Sequence, residues 1–230
     1  MYNKYKIGAL ILAAGSGTRM ASPITKQMMQ LGGMSIVKRS VIAFDRCDVI
    51  DKIVVVAKEG ELESIRSELS GIEKVELVVP GGESRAESAK NGLFALGPCD
   101  YVAIHDAARP LVTPTMIKTV VAEAIKKGCA TAAAVMTDTV KEIDGEGRIV
   151  GTLDRNKLVR ATTPQIFRRD LYERAVREAW SSDVTDDNML VERIGEPIYT
   201  VLLEGNVKIT TKSDLEYAEM ILAERGEDYV

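Results

Sequence analysis

Short, largely apolar runs recur along the first part of the chain, at Ile7–Ala13, Lys52–Ala57, Val75–Val79, Tyr101–His105 and Ala130–Met136. Runs that stay apolar without strict alternation suit strands covered on both faces. Between them the apolar positions take a helical period, over Ser35–Asp45, Glu61–Leu69, Ser84–Leu96 and Pro114–Lys127. The last of these has a clear start, with Thr113 as N-cap and Pro114 at the first helical position. Alternation of this kind predicts an α/β fold, a mainly parallel sheet flanked by helices on both faces. Ligands of such sheets sit beyond the carboxyl ends of the strands, which gathers Gly15, Gly81-Gly82 and Asp106 on one rim.

The pattern changes at Thr137. Residues Thr139–Leu153 alternate in character around Asp144-Gly145-Glu146-Gly147, which predicts two strands and a tight turn. Lys141, Glu142 and Arg148 make this hairpin too polar for the central sheet, so it protrudes as an arm. A two-stranded hairpin is marginal alone and must pack on something, either a partner subunit or its own domain. A helix follows at Asp170–Trp180, then a polar turn at Ser181–Asp187 and a helix through Arg193. A strand pair is predicted at Ile198–Leu203 and Val207–Thr210. The final helix, near Asp214–Glu224, opens on a capping box of Ser213 and Glu216. No repeat or linker interrupts the chain, so residues 1–230 read as a single domain with residues 137–160 as its arm.

Composition narrows the class. The 230 residues are 46% hydrophobic, enough for a substantial core. A net charge of −4 argues against a broad nucleic-acid surface while permitting local basic pockets. No apolar segment approaches the roughly 20 residues of a membrane span, and the N-terminus lacks a secretion signal. Cys47, Cys99 and Cys129 are odd in number and widely spaced, so they read as small core residues of a cytoplasmic protein.

The chemistry concentrates at strand ends. Leu12-Ala13-Ala14-Gly15-Ser16-Gly17-Thr18-Arg19-Met20 turns on two glycines, which bring bare backbone N–H groups around an anion. Arg19 and Lys26 add two cations, suiting a triphosphate. A Walker A string does not occur. The dinucleotide fingerprint fails too, because Met20 replaces its third glycine and Lys58 stands where a ribose-binding acid is needed. Asp106 ends a strand on the same rim, as a Mg²⁺ ligand beside phosphate oxygens or as the cap of the next turn. His105, the only histidine, reads as packed and bonded to backbone, since no nucleophile elbow accompanies it. In Pro80–Ser88 the paired glycines leave room for a flat base, and Ser88 can reach a base edge or ribose; an ordinary strand-to-helix loop would look similar. Arg155 and Lys208 are the cations available to a second phosphate, or else face water as most surface cations do.

Assembled in order, the strings LAAGSGTRM, Lys26-Gln27, GGESRAES, HDAARP, TDTVKEID, TLDRNKL, TPQIF, VTDD and NVKITTKSDLEYAE resemble the 2-C-methyl-D-erythritol 4-phosphate cytidylyltransferases, from about Ile7 to Ala223. The resemblance implies a Rossmann-like nucleotidyltransferase fold, CTP as co-substrate, Mg²⁺, and a homodimer whose arm reaches the partner's site. Carried over by position, Ala13, Ala14, Gly15, Gly17, Gly82, Glu83 and Ser88 bind CTP, Arg109 serves the nucleotide side, and Asp106 holds the metal. Arg19 and Lys26 stabilise the transition state. Thr139, Arg155, Thr163, Thr185 and Lys208 hold the acceptor phosphate, with Arg155 and Lys208 also counted as catalytic. Ser22-Pro23-Ile24-Thr25 and Met28-Met29 depart from the usual strings, a difference that bears on loop packing. The ribitol 5-phosphate cytidylyltransferases share the nucleotide half, so only the acceptor half separates the two families, and TLDRNKL and VTDDNMLVE are closer to the methylerythritol enzymes.

Overall fold

The computed structural model describes residues 4–15, 25–181 and 183–226. Its centre is β1 (Ile7–Leu12), whose six residues are all buried and whose side chains alternate between two packed layers. Ile7, Ala9 and Ile11 face one layer with α1 (Ile36–Asp45), α2 (Leu62–Glu68) and α4 (Pro114–Lys127). Leu10 and Leu12 face the other, with α3 (Arg85–Ala95), α5 (Arg169–Ala179) and α6 (Asp187–Arg193). Burial on both faces is why these strands read as continuous apolar runs.

Parallel neighbours of β1 are β4 (Lys52–Ala57) and β6 (Tyr101–Asp106), and β5 (Val75–Pro80) extends the edge beyond β4. A short two-stranded pair, β2 (Gln30–Leu31) and β3 (Met34–Ser35), precedes α1. With β7 (Cys129–Val135), β10 (Val159–Arg168) and β11 (Tyr199–Leu202), the main sheet of the described residues has seven strands in the order β11-β7-β10-β6-β1-β4-β5. The predicted strands and helices are present within a residue or two. At α4, Thr113 accepts from the Met116 N–H, Pro114 opens the helix, and Gly128 ends it at φ +93°, a left-handed value that glycine adopts without strain.

Three expectations need correction. Strand β10 (Val159–Arg168) runs antiparallel between β6 and β7 (Cys129–Val135), at a place where no strand is predicted. Pro164 cannot donate to a ladder, and the register accordingly shifts between Ala161 and Gln165. The strand pair near the C-terminus is one strand only: β11 (Tyr199–Leu202) joins β7 in parallel, while Val207–Thr210 is not a strand. Finally, the cap of α7 (Lys212–Arg225) is Thr211 with Asp214, two residues before the expected pair.

Between β7 and β10, β8 (Lys141–Ile143) and β9 (Ile149–Thr152) form a separate two-stranded hairpin. Asp144 shapes its turn by accepting from the Glu146 and Arg148 N–H groups. Ile143, Ile149, Val150 and Leu153 are exposed on this arm. Cys47 and Cys129 are buried as expected, whereas Cys99 is only half-buried. Among the described residues no helix is long and apolar enough to cross a membrane.

Candidate active site

The ends of β1, β4, β5 and β6 meet at one rim. Ala13 N–H donates to Val56 O at 2.7 Å, Gly81 N–H to Ala57 O at 2.7 Å, and Ala107 N–H to Leu12 O at 3.0 Å. A cavity of about 500 Å³ opens there, walled by Ala14, Gly15, Lys26, Gly82, Glu83 and Ser88, with Asp106 and Lys208 at its inner side. Among the described residues nothing lies within 4 Å of a Cβ placed at Gly15, which lines this cavity. Gly81 is demanded by packing: a Cβ there would lie 2.6 Å from the Ala14 Cβ and 2.7 Å from Ser88 Oγ. The Ser88 hydroxyl accepts from the Gly82 N–H at 3.1 Å and donates to Ser84 O at 2.9 Å. It therefore shapes the loop as well as lining the cavity. Ala13, expected beside CTP, directly precedes Ala14 at the rim, and its own side chain is buried in the core. Gly17 and Arg19 lie outside the described residues. Of the residues that depart from the family's strings, Met28 packs on the main core and Met29 on the Leu31–Ile36 cluster.

Asp106 is the hub of a cluster of charges. Its Oδ1 lies 3.1 Å from Arg85 Nε and its Oδ2 2.7 Å from Lys208 Nζ. Burial would push its carboxyl up, but Arg85 and Lys208, with Arg109 nearby, hold it well below the usual carboxylate range. The side chain is thus ionised and does not cap the next turn, where the Arg109 N–H donates to the Asp106 backbone carbonyl. Arg85 continues the network: Nη1 lies 2.6 Å from Oδ2 of Asp187, whose side chain is fully buried. Tyr172 donates its hydroxyl to Asp187 Oδ1 at 2.5 Å, and the Asp187 N–H donates to Gln165 Oε1 at 3.1 Å.

A second cavity, of about 240 Å³, shares Arg85, Asp106 and Lys208 with the first and adds Arg109, Thr163 and Thr185. The bulge in β10 brings Thr163 beside β6, where it accepts from the Asp106 N–H at 3.1 Å. Thr163 Oγ1 also lies 3.0 Å from His105 Nδ1, and His105 Nε2 lies 3.2 Å from Arg109 O. A carbonyl only accepts, so Nε2 carries the ring proton and Nδ1 accepts from Thr163. Burial pushes the His105 pKa down to about 3, so the ring stays neutral and serves as a fixed relay. It is indeed a packed histidine on backbone, with a threonine hydroxyl added. Arg109, expected to serve the nucleotide side, lines this smaller cavity, which adjoins the larger one at Asp106. Its Nη1 donates to Asn206 O at 3.1 Å.

Thr139 and Arg155 reach neither cavity of their own chain. Both lie exposed near the arm, and Arg155 Nη1 donates to Thr137 O at 2.7 Å. Arg85, Gln165, Asp186, Asp187 and Asn206 escaped the sequence reading as site residues. All five lie within strings already singled out there, Arg85 in GGESRAES, Gln165 in TPQIF, the two aspartates in VTDD and Asn206 at the head of NVKITTKSDLEYAE, and for Arg85 and the aspartates their charges were the available signal. Among the described residues no three acidic, histidine or cysteine side chains cluster to cage a metal. One ionised carboxylate facing a phosphate-sized cavity fits Mg²⁺, which takes one or two carboxylates and fills its shell with phosphate oxygens and water.

Two cation-walled cavities sharing one carboxylate, at the carboxyl rim of a largely parallel sheet, suit group transfer between two phosphorylated molecules. The family model described as 2-C-methyl-D-erythritol 4-phosphate cytidylyltransferase (IspD) matches residues 7–224. The protein of that name from Pelotomaculum thermopropionicum is 40% identical over 227 residues, covering 96% of this chain and 95% of its own. The crystal structure of 4-diphosphocytidyl-2C-methyl-D-erythritol synthase from Anaerococcus prevotii superposes with a TM-score of 0.83 at 28% identity, covering 96% and 98% of the two chains. The Francisella tularensis 2-C-methyl-D-erythritol 4-phosphate cytidylyltransferase superposes with a TM-score of 0.79 at 30% identity, covering 94% and 100%. The chain belongs to the 2-C-methyl-D-erythritol 4-phosphate cytidylyltransferase family.

Proposed function

We propose that this protein joins CTP to 2-C-methyl-D-erythritol 4-phosphate, giving 4-diphosphocytidyl-2-C-methyl-D-erythritol and pyrophosphate. The observation that carries the reading is the pair of adjoining cavities meeting at Asp106, Arg85 and Lys208. CTP takes the larger, with Ala14, Gly15, Gly82, Glu83 and Ser88 around it and Lys26 beside its phosphates. The acceptor takes the smaller, with Thr163, Thr185, Arg109 and Lys208. An acceptor phosphate oxygen attacks the α-phosphorus, and the bond to the β-phosphate oxygen breaks. The nucleophile is already an anion at neutral pH, so no general base is needed. Catalysis then rests on aligning two anions and neutralising the charge that gathers between them.

Arg19 and Lys26 supply that neutralisation, and Lys208 holds the acceptor in line. Asp106 would hold Mg²⁺, which supplies charge stabilisation for the triphosphate when bound. We further propose a homodimer in which the arm carries Thr139 and Arg155 to the partner's acceptor cavity. Its exposed apolar residues, and the distance of both side chains from their own site, support that arrangement. Pyrophosphate release measured with CTP and Mg²⁺ tests the function. Release with methylerythritol phosphate and none with ribitol 5-phosphate is expected; the reverse would overturn the acceptor assignment.

A further inference from the structure

We propose that Arg85 is a positioning residue that sets the two cavities in register. Its one guanidinium holds Asp106, on the floor shared by both cavities, and Asp187, directly behind the edge of the smaller one. This inference rests on the cytidylyl transfer proposed above. The two bonds leave from different nitrogens of the same planar group, Nε to Asp106 at 3.1 Å and Nη1 to Asp187 at 2.6 Å. A planar fork fixes the angle between its two acceptors as well as the distances, which a point-like ammonium does not.

The two acceptors belong to different halves of the site. Asp106 ends β6 on the floor shared by both cavities. Asp187 is the first residue of α6, directly after Thr185 and the N-cap Asp186, both of which line the acceptor cavity. Pulling Asp187 onto Arg85 therefore fixes the 185–187 edge of that cavity relative to Asp106. The pair is sheltered from solvent on the Asp187 side, where competition from water is least. Among the described residues, Arg85 Nη2 is buried without a hydrogen-bond partner, which leaves it available inside the site.

The test is steady-state kinetics on the full chain, varying CTP and methylerythritol phosphate separately, for wild type, Arg85→Lys, Asp187→Asn and Tyr172→Phe. Asp187→Asn weakens the tether but leaves the Arg85–Asp106 bond. It should raise the acceptor KM about tenfold, the scale of one charge-assisted hydrogen bond, with the CTP KM within about twofold of wild type. Arg85→Lys, which disturbs both bonds, should raise the acceptor KM similarly and also lower kcat. Tyr172→Phe removes the other partner of Asp187 and should lower the melting temperature without moving the ratio of the two KM values.

Unchanged KM values in Asp187→Asn, or equal rises for both substrates, would overturn the proposal. So would a Tyr172→Phe variant that shifts the ratio as Asp187→Asn does. Should Asp187→Asn fail to fold, Arg85→Lys decides alone: a rise in the acceptor KM larger than that in the CTP KM supports the inference, and none or an equal rise overturns it. A wild type inactive on methylerythritol phosphate would instead overturn the function itself.

Discussion

The larger cavity is walled mainly by strand ends and the turns that directly follow them, at Ala14-Gly15, Gly82–Ser88 and Asp106–Ala108. The smaller cavity draws on a bulge in an antiparallel strand, a helix N-terminus and the segment carrying Lys208. Its proposed completion needs a second chain. One region is therefore made of local units repeated along a sheet, the other of distant segments brought together. Side-chain ionic networks bind the second where backbone geometry suffices for much of the first. Arg85, Asp106 and Lys208, common to both, are where the two designs are joined.

The largest effect should come from breaking each half in a different subunit. Lys26→Ala is expected to lower kcat by about 10²-fold or more, as for loss of an electrostatic stabiliser, and Arg155→Ala should be comparably impaired. Mixed in equal amounts and allowed to exchange subunits, the two inactive variants should regain about a quarter of wild-type activity, because about half of the dimers are then mixed and each mixed two-fold dimer holds one intact site of two. No recovery in a mixture proven to exchange would remove Arg155 from the partner's site.

A smaller effect should follow from disturbing the local geometry of the larger cavity. Gly81→Ala forces a Cβ against Ala14 and Ser88, both packed closely, and should destabilise the fold by about 1–3 kcal/mol. The CTP KM should rise more than the acceptor KM. Thermal melting and kinetics check this together, and an equal rise in both would blur the distinction between the two halves.

The smallest expected effect is a pH dependence of stability from the relay under the acceptor cavity. His105 is neutral when folded, with its pKa near 3, whereas a solvated histidine titrates near 6.5. The unfolded chain therefore binds more protons between those values, so stability rises with pH through the window and falls as the solution is acidified below about 6.5. The limiting slope is about 1.4 kcal/mol per pH unit for one proton. Urea unfolding of wild type and His105→Gln at pH 6 and 5 should show this part of the slope in wild type alone. A slope that persists in the variant would assign it elsewhere.

Much was legible from the chain itself. The buried strands β1, β4 and β6 announce themselves because burial on both faces leaves few polar positions. Thr113-Pro114 and the glycines at 15 and 82 act locally, so their meaning needs no distant partner, whereas Gly81 is required by the close approach of Ala14. Lys26, Asp106 and Lys208 were legible as charges, and the structure brings all three to one cavity.

What required the tertiary structure was every relation between segments far apart. Strand β10 hides because Thr162, Thr163 and Pro164 break its apolar pattern, and its pairing is decided by the two strands it lies between. That Arg109 lines the smaller cavity and that the Ala13 side chain is buried in the core could be seen only once neighbouring elements were in place. The double tether of Arg85 is invisible along the chain, since Asp106 and Asp187 meet it only through the packing of α3, β6 and α6. Sequence by itself determined most of the elements and the rim, because local propensity and burial pattern act over a few residues, and its strings carried the resemblance to the family. Tertiary structure alone decided which charges face one another, because an ionic pair depends on distance in space and carries no periodic trace in the chain.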